Sequence, residues 1–220
     1  MVDGPVLVVR GEACREVPPD VARFSVTVAA RHEDRAETLT RLAQRHDAVR
    51  AIVDRYGDAV ERRETGDLVV RPELARAGER VIAYRASATT VVTVRDVGIL
   101  GEMMVRLTAV EQVSVAGPWW ELRPDHPAHR AVRHAAIADA LARAREYAEA
   151  LGARVTGIVE ISETGLGVEP LVARPVAYDL AAAAAGPELG LDPQPQVVRA
   201  MVTARFTLSQ PTVLDSGRCE

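Results

Sequence analysis

Lysine is absent from this 220-residue chain, and all 27 basic residues are arginine. That points to the codon bias of a GC-rich genome. The arginines are scattered and mostly alternate with acids. No stretch is persistently basic, and the formal net charge is -4. The basic footprint of a nucleic-acid binder is therefore missing. Cysteine is nearly absent too. Cys14 and Cys219 lie far apart, without CxxC spacing. That pattern speaks against a zinc site and a disulfide framework, and free thiols are expected. No run approaches the ~20 apolar residues of a membrane span. The opening "MVDGPVLVVRGEACREV" has four apolar residues in a row and then Arg10. A secretory signal needs an apolar core of about 7–15 residues. The expectation is a soluble, cytoplasmic protein with no nucleic-acid or membrane partner.

What is present suffices for a proper core: 48% of residues are hydrophobic and 26% charged. Residues 5–13 read as a strand. "VPPD" at 17–20 breaks it, because proline fixes φ and donates no ladder hydrogen bond. In that turn Pro19 is expected to set the backbone and Asp20 to cap exposed N–H groups. "VARFSVTVAA" alternates as a second strand. Residues 34–57 carry Leu39, Leu42, His46, Val49, Val53 and Tyr56 at helical spacing, with Gly57 as the stop. His46 on that stripe is expected to be a hydrogen-bonded residue at the core edge. Two long strands around 77–79 read as a hairpin. A short helix at 97–108 buries Met103 and Met104. A strand at 110–123, a long helix at 127–151 and a strand from 153 follow.

The pattern changes at 165–195, which holds a run of five alanines. It reads as a long loop insertion, with a helical turn expected around Ala181–Ala185. A last alternating strand follows, and 211–220 read as a frayed tail. The fold class predicted is α+β, a largely antiparallel sheet with helices on one face. One domain over 1–210 is expected. Strands two to five, with their helices, have the β-α-β-β-α-β order of a ferredoxin-like unit.

"HPAHRAVRH" packs three of the five histidines into nine residues. A helical metal site wants histidines at i and i+4. At 100° per residue His129 and His134 diverge by about 140°, too far to share one ion. His126 is a boundary residue before Pro127, with Asp125 as the expected cap. His134 aligns with Ile137, Leu141, Ala144, Ala148 and Leu151 on the apolar stripe. No metal or other cofactor is expected. GxSxG and glycine-rich phosphate loops are missing, and no carboxylate pair is named by the sequence. No catalytic residue is assigned.

Three stretches together resemble the SIMPL-domain family: "VVRGEACREVPPDVARFSVTV", "YRASATTVVTVRDVGILGEMM" and "AIADALARAREYAEALGARVTGIVEISETG". They carry a glycine followed by the V-x-P-D turn at Val17, Pro19 and Asp20. A tyrosine-led strand comes next, with an aspartate opening a helix. An alanine-rich helix then breaks at Leu-Gly before I-x-E-x-G. The resemblance covers about residues 6–208. It implies an α+β fold, a tendency to form oligomers and no established enzymatic activity or cofactor. The first reading is a non-enzymatic protein acting by self-assembly and protein contact, with Trp119 and Trp120 as interface candidates. Neighbours in a strand point to opposite faces, so one of the two faces the core. The alternatives are a small-molecule binder with 165–195 as its lid, and an unrecognised hydrolase.

Overall fold

The computed structural model describes residues 4–75, 78, 80–170 and 190–213. The elements in chain order are β1 (Val6–Val17), β2 (Val21–His32), α1 (Arg35–Asp54), β3 (Val60–Leu74), β4 (Val81–Val94), α2 (Leu100–Thr108), β5 (Val113–Glu121), α3 (Pro127–Ala150), β6 (Val155–Pro170) and β7 (Gln196–Leu208). They form two compact units, and the first chain boundary between them falls between Pro18 and Pro19. All strand pairs are antiparallel, and the fold is α+β.

The unit from β2 to β5 has the sheet order β3-β4-β2-β5. That is the ferredoxin-like neighbour order the element sequence predicts. Alternation in β2 turns Ala22, Phe24, Val26, Val28 and Ala30 inward. Their β4 partners Val94, Val92, Thr90, Ala88 and Ala86 face the same way. Leu42, Val49 and Val53 of α1 and Leu100, Met103, Met104 and Leu107 of α2 close the core. Asp34 caps α1 by accepting from the Glu37 amide at 2.9 Å. His46 is the hydrogen-bonded edge residue expected, 3.2 Å from the Thr90 hydroxyl. Leu39 departs from the expected stripe and stays exposed.

The other unit has the order β1-β7-β6, with α3 packed on one face. Here the sequence reading of α3 needs correction. Its buried positions are Ala128, His129, Val132, Ala136, Ala140, Ala144 and Ala148, while His134 and Ile137 are exposed. A hydrophobicity-led reading favours the large residues, but the packing selects the small ones. An alanine every fourth residue lets the helix backbone approach the sheet, and Gly11 on β1 receives it. A Cβ at Gly11 would stand 2.2 Å from the Ala136 carbonyl oxygen and 2.5 Å from the Ala140 nitrogen.

Both ends of α3 are closed by local chemistry. The N-cap is His126, not the expected Asp125, and its Nδ1 accepts from the Ala128 amide at 3.1 Å. Pro127 needs no partner at the first helical position. At the other end Gly152, at φ +61°, completes a Schellman closure. The Ala153 amide donates to the Ala148 carbonyl at 2.8 Å and the Gly152 amide to the Glu149 carbonyl at 2.9 Å.

The expected loop from 165 also needs correction. β6 runs on to Pro170, pairing with β7 as far as Pro170↔Gln196. Strand β7 is long enough to extend the ladder past the glycines. The expected turn at Ala181–Ala185 and most of the 211–220 tail lie outside the described residues. Among the described residues, no helix is long and apolar enough to cross a membrane.

Candidate functional site

The tryptophan pair sits on β5, at one edge of its sheet. Which of the two faces the core depends on an irregularity. Ala116 stands opposite Ser25, on the sheet face turned away from α1 and α2. Simple alternation from Ala116 would put Trp120 on that same face. Instead the register shifts between Arg23 and Ser25, so that Trp119 pairs with Arg23 and Trp120 with Ala22. Gly117 makes the shift with φ +121°, a conformation that L side chains rarely adopt. A Cβ there would meet the Phe24 Cβ at 2.9 Å. Trp120 therefore packs against the core with Phe24 and the helices. Trp119 is left on the other face, 45% exposed.

Arg23 and Glu121 frame Trp119. The Arg23 Nη1 donates to Glu121 Oε1 at 3.1 Å. Among the described residues the Arg23 Nε is buried without a hydrogen-bond partner, as is the hydroxyl of Thr93, directly opposite Arg23 on β4. Sequence reasoning singled out the tryptophans but missed Arg23. The polar positions alternating through "VARFSVTV" were the available signal. The turn residues Pro19 and Asp20 lie between β1 and β2, and the Asp20 amide donates to the Glu121 carbonyl at 3.2 Å.

The same sheet face carries a charged cluster at its far end. Glu73 accepts from Arg31 Nε at 2.8 Å and Arg31 Nη2 at 3.2 Å, and from Arg85 Nε at 3.0 Å. These hydrogen bonds, Arg31's first and Arg85's second, hold its carboxyl down at about 2. A carboxyl whose folded-state value is depressed adds stability above the unfolded value, and that stability is lost as pH falls. The urea midpoint of the wild type should therefore exceed that of Glu73→Gln by a constant margin at neutral pH. The margin should close between the ordinary glutamate value of about 4.3 and pH about 2. A margin unchanged through that acid window would contradict the assignment.

The histidine cluster does not converge on a ligand. His129 is buried, with Nε2 3.2 Å from the Arg123 carbonyl oxygen. A carbonyl only accepts, so Nε2 carries the proton. His126 is engaged as the cap, with its ring edge-on to that of His129, and His134 is exposed. Among the described residues, no three His, Cys, Asp or Glu side chains group as metal ligands. A shallow depression of about 260 Å³ lies between α1 and the turn before β5, lined by Arg41, Gln44, Arg45, Ala48, Val110 and Glu111. Arg45 is already engaged there, donating to the Ala29 carbonyl at 2.9 Å and pairing with Glu111 at 3.1 Å. The lining holds no serine, cysteine or histidine to act as nucleophile or base.

No curated protein matches the chain. A crystal structure of an unknown protein from Galdieria sulphuraria aligns with 89% of this chain and 86% of its own, at 12% identity and a TM-score of 0.19. The family described as "Protein of unknown function (DUF541)", SIMPL, matches residues 7–206. That span runs from the second residue of β1 to within two residues of the end of β7 and takes in every element between them, so the chain belongs to the SIMPL family.

Proposed function

We propose that this SIMPL-family protein works through protein–protein contact, chiefly self-assembly, rather than through catalysis, and that Trp119 anchors the contact. One observation carries the reading. A tryptophan 45% exposed stands on a sheet face that neither α1 nor α2 covers, beside a partly buried arginine. Tryptophan and arginine dominate the energetics of protein interfaces because they combine large apolar area with few rotamers or strong hydrogen bonding. The occupant is a second copy of the chain. Neither nucleic acid nor a membrane has a role in this reading.

Sedimentation velocity tests it. Wild type should be oligomeric at high micromolar concentration. Trp119→Ala should sediment as a lighter species with an unchanged circular dichroism spectrum. A wild type that stays monomeric at that concentration defeats the proposal.

A further inference from the structure

Three arginines from distant parts of the sequence form one row. Arg71 on β3 stands directly opposite Arg85 on β4, and Arg85 directly opposite Arg31 on β2. Directly opposed residues share a sheet face, and neighbouring strands lie about 4.8 Å apart. Like charges in that position repel. The row is open to solvent: the Arg31 and Arg85 side chains are 51% and 70% exposed. One carboxylate, Glu73, is hydrogen-bonded to the row, and it serves only Arg31 and Arg85. Glu33 adds a weaker attraction to Arg31. Arg71 pairs with no carboxylate among the described residues, and exposed Arg80 at the end of the hairpin adds further positive charge.

We propose that the Arg31–Arg85–Arg71 row is a binding site for a phosphate group, free or as a small phosphate monoester. Glu73 shows the geometry. Guanidiniums from two strands already converge on its Oε2, at 2.8 and 3.0 Å. A carboxylate offers two oxygens and one negative charge, which leaves Arg71 out. A phosphate monoester offers three acceptor oxygens and a charge of about -1.5 to -2 near neutral pH. It matches the planar forks of arginine. The next residues on this face, Ala29, Ser87 and Val69, provide no aromatic platform for a nucleobase. Recognition therefore rests on the phosphate. Glu73 holds the guanidiniums in place and competes with the ligand. The row shares its sheet face with Trp119 but lies at the far end of it, and none of the three arginines stands opposite a tryptophan.

Isothermal titration of the full chain with inorganic phosphate, against sodium chloride at matched ionic strength, tests the site. A second titration uses glycerol phosphate. Saturable 1:1 binding is expected. Tighter binding of glycerol phosphate would identify a monoester site, and tighter binding of inorganic phosphate a free-phosphate site. Arg71→Gln and Arg85→Gln should each weaken binding by about tenfold, the loss of one charge-assisted hydrogen bond. Glu73→Gln should tighten it, because the internal competitor is gone. Glu64→Gln is the control: it removes an acid that lies on β3 and pairs with Arg62 instead, and it should leave the affinity unchanged. Phosphate binding no tighter than chloride overturns the proposal. So does an equal gain from Glu73→Gln and Glu64→Gln, which would reduce the effect to net charge.

Discussion

Replacing Gly11 with alanine should cost about 3 kcal/mol, the upper range for overpacking. The added methyl would meet backbone atoms rather than the tip of a flexible side chain: the Ala136 carbonyl at 2.2 Å and the Ala140 nitrogen at 2.5 Å. Relief requires α3 to lift from β1, and that separates the buried faces of Ala136, Ala140 and Ala144 from the sheet. Lifting also strains the hydrogen bond from the Glu12 amide to Asp139, now 2.9 Å. Urea unfolding followed by circular dichroism measures the loss. Gly167→Ala in β6 is the comparison, since a Cβ there meets nothing within 4 Å among the described residues. It should stay within about 0.5 kcal/mol of wild type. If Gly11→Ala matches that small change, the close helix approach is not what holds this unit together.

The two adjacent tryptophans should respond in opposite ways. Trp120→Ala should destabilise the protein by about 3 kcal/mol, the low end for a large aromatic because the ring is only partly buried. Trp119→Ala should cost little stability, since its ring is already 45% exposed. The asymmetry rests on the irregularity at Gly117, which reverses the facing of everything after it. Equal losses from the two substitutions would mean that both rings are packed alike.

These two sites also mark where the sequence stopped being readable. The ferredoxin-like order was legible because β2 alternates cleanly and α1 and α2 keep helical spacing. The facing of the tryptophans was not, because a one-residue change of register is invisible to an alternation argument. For α3, the apolar count favoured the stripe through His134, Ile137 and Leu141. The helix instead buries the smallest residues it has, and the reason lies in another segment, at Gly11. Asp125 is a better cap by residue type than His126, but the capping geometry belongs to the histidine. The arginine row was hidden for a different reason. Residues 31, 71 and 85 meet only through the register of three strands, so scattered charge in the sequence becomes concentrated charge on one face. The strand at 165–170 was masked by its glycines, which lower strand propensity without preventing pairing to a long partner.

Concentration-dependent fluorescence of Trp119 alone decides whether its ring meets a second copy. Trp120→Phe keeps an aromatic ring in the core and leaves Trp119 as the only tryptophan, since the chain has two. The self-assembly reading predicts red-shifted emission, readily quenched by iodide, when the protein is dilute. It predicts a blue shift and loss of quenching as concentration rises, following the same curve as the sedimentation mass. Emission and quenching independent of concentration, while the mass still rises, would place the interface elsewhere and contradict the assignment of Trp119.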